Sequence, residues 1–369
     1  MCKIKKVSLG VVFYKHLKYI KPFLETIFNQ DFNWEIEYVF RDQDPDWEAY
    51  FYIQKNFPEY FEKIKFFRNN WWFHSEWHNF LIKKSEWDLY FCLSNDMIYP
   101  ENLVSKFVDF FNENDEFWNK NDFCSEDCLS DSEFHSKKIN FISELKIATC
   151  KIKRWDFSIY EKTWDLEKSK SNFIDTLWVK LCENHSFYDL GQWEEDFWQY
   201  DNLEKTFWPS WAFFVCDRKF FENDFFDEKN LPHYKNDCDF SYKLNWKWIE
   251  TKIVKWIEVY HDRQLFWNWE NFFGKIKIFR ERNDFFLWDS LKWHLNLLAK
   301  NFTKKFPLKI KIKTFLLELK KFIFFAIFKP KLLKIYWNFF KKNLKMEKNF
   351  SEDDKNFWEN MRKILENMK

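Results

Sequence analysis

The chain has 369 residues, enough for one large or two modest domains with a sizeable core. Its formal net charge of +1 leaves no global field for nucleic acid. Eight cysteines scattered from Cys2 to Cys238 point away from a disulfide scaffold and toward a reduced, cytoplasmic setting, while no uncharged apolar run approaches the roughly 20 residues that span a bilayer.

The first residues enter a strand directly, too early and too short for a signal peptide. Residues 6–14, KVSLGVVFY, read as a buried strand, and a helix follows over 19–29. A second strand over 35–40 ends in the acidic turn RDQDPDW. A helix over 48–56, a strand over 63–67 and a helix running to 83 come next. The strand over 88–93 then delivers Ser94, Asn95 and Asp96. Residues 112–138 are polar, acidic and irregular, an excursion from the sheet, and the strand pattern resumes at 147–152. Cys124 and Cys128 within the excursion form a lone C-x3-C pair, too little for zinc. Strands alternating with helices predict a doubly wound, mostly parallel sheet, whose ligands bind beyond the carboxyl ends of the strands. The turns at Asp42 to Asp46 and at Asp96 fall at such ends.

Between 301 and 346 thirteen Lys stand against one acid, Glu318, mixed with Phe, Leu and Ile. That composition suits helices on an anionic membrane surface, or a basic helical tail packed on the main domain. A charged helix closes the chain from about 351.

Tryptophan is the anomaly, with 23 Trp and only 3 Gly. Together they match the roughly 26 glycines that a usual share of about 7% would give. Trp47, Trp87, Trp155 and Trp246 follow Asp, Glu, Arg and Asn in turn-like contexts, where glycine supplies φ > 0 without steric cost. Many of these tryptophans read as glycines, as when a reassigned UGA codon is translated with the wrong table. The competing reading is a Trp-rich surface for stacking sugars.

With glycine in those places, residues 70–79 read N-G-G-F-H-S-E-G-H-N, followed by the strand ending in L-S-N-D. This resembles the family 2 glycosyltransferases, inverting enzymes of the GT-A fold, and their rhamnosyltransferase-like branch in particular, which reads N-x-G-F-x-x-G-H-N before L-N-x-D. Asp175-Thr-Leu-Trp178 is similar to D-T-x-G, residues 189–201 (DLGQWEEDFWQYD) to D-x-G-Q-G-E-x-D-x-G-Q-Y-D, and residues 207–212 (FWPSWA) to F-G-x-S-G-A. F-D-E at 226–228, Y-x-E-D-x-D at 234–239, a glycine at Trp248 and V-Y-H at 259–261 follow in order. The likeness covers roughly residues 4–265, and wherever it aligns, the family's glycine falls on Trp except at Gly191.

The resemblance implies a Rossmann-like GT-A domain over 1–265 and a basic, amphipathic helical region over 266–369. It implies a sugar, rhamnose from a dTDP donor in this branch, moved with inversion to a polysaccharide or lipid-linked glycan at the inner face of the cell membrane. Such transfer needs a divalent metal, Mg2+ or Mn2+, to neutralise the leaving diphosphate, and a base for the acceptor hydroxyl. The matching positions are Asp96 and His261 for the metal and Asp237 for the base, with Asp239 beside it. Tyr14, Asp42, Asp46, Asn70, His78, Asn79, Asn95 and Ser210 fall at donor-site positions. Three positions depart from the pattern: Ser94 replaces the first acid before Asp96, Asn236 replaces the Glu before Asp237, and Arg41 falls where the base-contacting Asp belongs. They motivate the rival reading, a degenerate GT-A protein acting as a sugar-binding or scaffold subunit.

Overall fold

β1 (Lys6–Phe13) buries Val7, Leu9, Val11 and Phe13 on one face, while Ser8 and Gly10 are buried on the other. A strand buried on both faces reads as a continuous apolar run because helices cover it on each side. Gly10 is required there, since an added Cβ would stand 2.0 Å from the Tyr90 hydroxyl on the neighbouring strand. The computed structural model describes residues 4–68, 74–121, 146–203, 205–207, 210–218, 226–232, 235–247, 249, 251–263, 280–342, 346 and 348–368.

The elements follow the expected order: helix Ile20–Phe28, β2 (Glu35–Asp42), helix Glu48–Asn56, β3 (Ile64–Arg68), helix His74–Lys84, β4 (Leu89–Leu93) and the short β5 (Met97–Ile98). Helix Leu103–Asn121 runs into the polar stretch that begins at 112, and residues 122–138 lie outside the described residues. After them come β6 (Ile147–Trp155), β7 (Lys170–Thr176), the hairpin β8 (Val179–Leu181) and β9 (Phe187–Asp189), β10 (Lys205–Thr206), β11 (Phe213–Asp217), helix Asn236–Trp246 and β12 (Thr251–His261).

The main sheet has the order β10-β12-β6-β11-β4-β1-β2-β3. β3, β2, β1 and β4 are parallel. β11 is antiparallel to both β4 and β6, so β6 and its parallel neighbour β12 run in the same sense as β4. The carboxyl ends of β1, β2, β4, β6 and β12 therefore meet at one edge, as the doubly wound reading requires.

One core cluster packs helices Ile20–Phe28 and Glu48–Asn56 on one face of the sheet. A second joins Tyr90, Cys92 and Phe214 to helix Asn236–Trp246. That second cluster also takes in Trp293 and Leu297 of helix Asp284–Asn301 and Phe357, Met361 and Ile364 of helix Phe357–Asn367. The basic C-terminal region is thus packed against the sheet domain rather than hanging from it. Helices Leu308–Phe328 and Leu333–Lys342 complete it.

Six of the tryptophans show contrasting surroundings. Trp155 and Trp246 are buried among other rings, unlike the exposed turn positions their neighbours suggest. Trp47, Trp164, Trp193 and Trp198 have φ of 52°, 54°, 68° and 62°. The left-handed region costs an L-residue with a Cβ about 1–2 kcal/mol. Gly191 has φ 74° in the same loop as Trp193 and Trp198.

Candidate active site

Backbone register builds the centre of the site. β5 pairs antiparallel with the end of β12, placing His261 opposite Met97 and so beside Asp96. β12 sets His261 opposite Arg154 of β6, and β7 returns along β6 to bring Asp175 to the same point. His261 Nε2 lies 3.2 Å from Asp96 Oδ2, and its Nδ1 lies 2.8 Å from Asp175 Oδ2. Ser94 donates to Asp96 Oδ1 at 2.5 Å, and the Trp155 indole donates to the Asp96 carbonyl.

Burial alone would lower the His261 pKa. The Asp96 charge and the hydrogen bonds to Asp175 and Asp96 outweigh it and lift the pKa to about 10. Burial likewise works to raise the pKa of Asp96 and of Asp175, but the His261 charge and its hydrogen bonds leave both carboxyls below their ordinary value.

Asp175 is the hub. Besides His261 it accepts from Arg154 at 3.1 Å and from Arg263 Nε at 3.1 Å. Arg263 reaches on to Asp189 at 2.7 Å. The contacts Asp96–His261–Asp175–Arg263–Asp189 thus form one continuous chain. Asp237 starts helix Asn236–Trp246 after Lys235, which has φ 67°. Its Oδ1 accepts the Cys238 N–H at 2.7 Å. Burial first, then the Asp189 charge, raises its pKa against the opposing Lys235 charge.

Asp239 turns elsewhere. Its Oδ2 accepts from Lys300 at 2.5 Å and its Oδ1 from Asn301 and Asn349, so it anchors the C-terminal region. Asp42 is buried, with its oxygens taken by the Asp44 and Tyr50 N–H groups in a turn and a helix start. Asp46 is exposed and donates its N–H to Asp44. Tyr14 is 43% exposed just after the end of β1. His78 stacks on Trp211 at 4.6 Å and meets Cys92 Sγ at 3.3 Å. Asn79 holds Phe226 by two backbone hydrogen bonds and reaches Glu228 at 2.6 Å. Asn95 is buried beside Asp96, and among the described residues its amide nitrogen has no hydrogen-bond partner. Ser210 is buried just before β11. Asn70 lies outside the described residues. Asn236 bridges the Trp211 indole and Ser75, tying the start of helix Asn236–Trp246 to helix His74–Lys84.

The hub residues Asp175, Asp189, Arg154 and Arg263 carried no role in the sequence reading. The first two stood in quoted motifs without one. The third motif acid, Asp196, is buried and bridges Lys151 and Lys153 of β6. Alternating basic residues on a buried strand were the available signal, because buried cations need acids.

Asp96 and His261 face each other with the imidazole held from behind by a carboxylate, the arrangement that orients a metal-binding histidine. Among the described residues no cluster of three or more ligating side chains exists, so a cation here would draw its remaining ligands from phosphate and water.

No protein-family model matches the chain, and no curated protein does. Among solved structures it is similar to GalNAc-T7, determined with UDP, GalNAc and Mn2+, at TM-score 0.48 and 11% identity, over 71% of this chain and 45% of that one. It thus spans under half of that protein's length. S. aureus TarS (1-349) gives TM-score 0.41 at 13% identity over 89% and 83%, and mannosyltransferase PcManGT from Pyrobaculum calidifontis, with GDP-Man and Mn2+, gives 0.40 at 12% over 92% and 86%. Likeness at this level does not speak to activity, and the functional reading rests on this chain's own residues.

Proposed function

We propose that residues 1–265 form a GT-A glycosyltransferase domain of the family 2 type that moves a sugar with inversion from a nucleotide-diphosphate donor to a glycan or lipid-linked acceptor. The observation that carries this reading is the meeting of Asp96 and His261 at the carboxyl edge, with Asp175 behind the imidazole and held there by Arg154 and Arg263. A divalent cation held by Asp96 and His261 would neutralise the leaving diphosphate. Asp237 takes the acceptor hydroxyl proton, Tyr14 and Asn95 contact the donor, and Arg263 and Asp175 hold the site in register. Donor turnover with Mg2+ or Mn2+ tests the reading, dTDP-rhamnose being the first donor to try. Absence of turnover with every common nucleotide sugar, alongside a donor-induced thermal shift, would favour the sugar-binding subunit instead.

Asp175→Asn removes the carboxylate behind His261 but not the ligands themselves. It is expected to weaken Mn2+ affinity roughly 10–100-fold. Titration of Mn2+ by calorimetry checks this, and unchanged affinity would place the cation elsewhere.

We further propose that the tryptophans in left-handed backbone stand for glycine in the natural protein. The positive φ of Trp193 and Trp198, in a loop where Gly191 also has positive φ, supports it; buried Trp155 and Trp246 lend no such support. The sign of two substitutions separates the cases. Trp198 is 72% exposed with φ 62°, so Trp198→Gly is expected to stabilise by about 1 kcal/mol. Trp337 is 63% exposed but sits inside helix Leu333–Lys342, so Trp337→Gly is expected to destabilise by about 0.5–1 kcal/mol. Urea denaturation gives both signs, and the coding DNA and intact mass of the native protein decide the identity outright.

A further inference from the structure

Helix Leu308–Phe328 presents to solvent a face that an ordinary surface helix would bury. Leu308, Ile312, Phe315, Leu319, Ile323 and Ile327 are each between 40% and 68% exposed. At 100° per residue they fall on one stripe, about 30 Å long at 1.5 Å rise per residue. The opposite side is used: Ile310 joins the core cluster of helix Asn236–Trp246, and Phe325 packs with Leu287, Leu291 and Ile335 of the neighbouring helices. The stripe is therefore the outward face of a docked helix.

Charge selects its partner. The stripe is flanked by lysines, with Lys309, Lys313 and Lys320 on one side and Lys311 on the other. Between 301 and 346 the one acid is Glu318, and it is occupied by His294 and Lys321. Lys309 and Lys313 lean on Glu183 of the β8–β9 turn, whereas Lys320 has no carboxylate partner among the described residues. Two copies joined along this face would bring Lys311 and Lys320 of one against those of the other, while Glu183 is already taken by Lys309 and Lys313. An apolar stripe bordered by lysines fits an anionic lipid surface, where the ring and aliphatic groups enter the acyl boundary and the ammonium groups reach the headgroups. Among the described residues no helix is long and apolar enough to cross a membrane, so the helix lies in the plane. Exposed Trp337 on the next helix, with Lys341 over its ring at 5.1 Å, has the amphipathic character of an interfacial anchor.

We propose that helix Leu308–Phe328 is a membrane-surface contact, seated by its apolar stripe on anionic lipid. The proposal stands apart from the transferase reading because its test measures binding and not turnover.

The experiment is co-sedimentation of the full-length protein with vesicles of phosphatidylglycerol and phosphatidylcholine, and with pure phosphatidylcholine. Binding is expected to the anionic vesicles and to be roughly tenfold weaker on the neutral ones. Ile312→Ser, Phe315→Ser and Leu319→Ser combined should weaken binding about tenfold or more with an unchanged thermal melt, since all three side chains are exposed. Lys320→Gln should weaken it about fivefold, the equivalent of roughly 1 kcal/mol per lysine near such a surface. Equal binding to both vesicle types would overturn the proposal, as would indifference to the triple substitution. A concentration-dependent dimer in sedimentation velocity that the triple substitution dissolves would assign the stripe to a second copy instead.

Discussion

Asp237→Asn is expected to lower the rate of sugar transfer by about a hundred- to ten-thousand-fold, the usual contribution of a positioned general base, while leaving donor affinity unchanged. Two aspartates compete for this role in the run Asn236-Asp237-Cys238-Asp239, and the hydrogen bonds decide between them. Asp239 spends both oxygens on Lys300, Asn301 and Asn349. Asp237 accepts the Cys238 N–H on Oδ1 and a hydrogen bond from the Cys238 thiol, and among the described residues no lysine or amide of the C-terminal region takes its carboxylate as they take Asp239. Its surroundings also suit a base. Burial and the neighbouring Asp189 charge raise its pKa, and a more basic carboxylate holds the hydroxyl proton better. The sign on the pH profile follows. A base works deprotonated, so kcat/KM falls as pH drops through the Asp237 pKa, and the acidic limb lies above the 3.8 of an ordinary aspartate. Measured kcat/KM against pH, with donor binding followed by thermal shift, checks both points. An Asp237→Asn variant that keeps activity would move the base to another residue.

The strand and helix order of residues 6–93 was legible in the sequence because the periods of the apolar residues are local. The helix over Glu48–Asn56 is where the pattern placed it, and β1 differs by one residue at its end. The position of Asp96 at a strand end was legible for the same reason. What makes it a site was not, since it depends on β5 pairing with β12 and on β7 folding back along β6. These are contacts between residues far apart in the chain, and neither periodicity nor spacing encodes them. Asp42 shows a second role that the sequence did not reveal. An acid at a strand end looks like a ligand contact, yet its two oxygens close a turn and cap the following helix. The same short side chain serves both purposes, and composition alone does not separate them. The C-terminal lysines were legible as a basic region, but Lys300 in particular was not distinguishable from the solvated ones.

That lysine carries the second large effect. Lys300→Met is expected to destabilise the protein by about 3–5 kcal/mol, the penalty for leaving a buried charge without its partner. Lys300 is 5% exposed at the end of helix Asp284–Asn301, and its ammonium lies 2.5 Å from Asp239 and 2.7 Å from Asp227. Burial opposes the charge on each group, yet the Lys300 pKa is raised by Asp239 and Asp227, and the Asp227 pKa is lowered by Lys300. A depressed carboxyl contributes stability above its unfolded pKa and loses it as pH falls through the folded one, so the wild-type advantage should fade in acid. Chemical denaturation of the single variants and of Lys300→Met in an Asp239→Asn background should give a coupling of about 1–3 kcal/mol, because the asparagine removes one of the two carboxylates that Lys300→Met strands. Additive effects would mean that the pair does not hold the two regions together. The consequence reaches the site, since Asp239 is one turn from the start of the helix that presents Asp237. If Lys300 fixes that helix from behind, the folded fraction of Lys300→Met should show a lower kcat with donor binding intact. The C-terminal region would then act as the buttress of the base as well as the membrane contact.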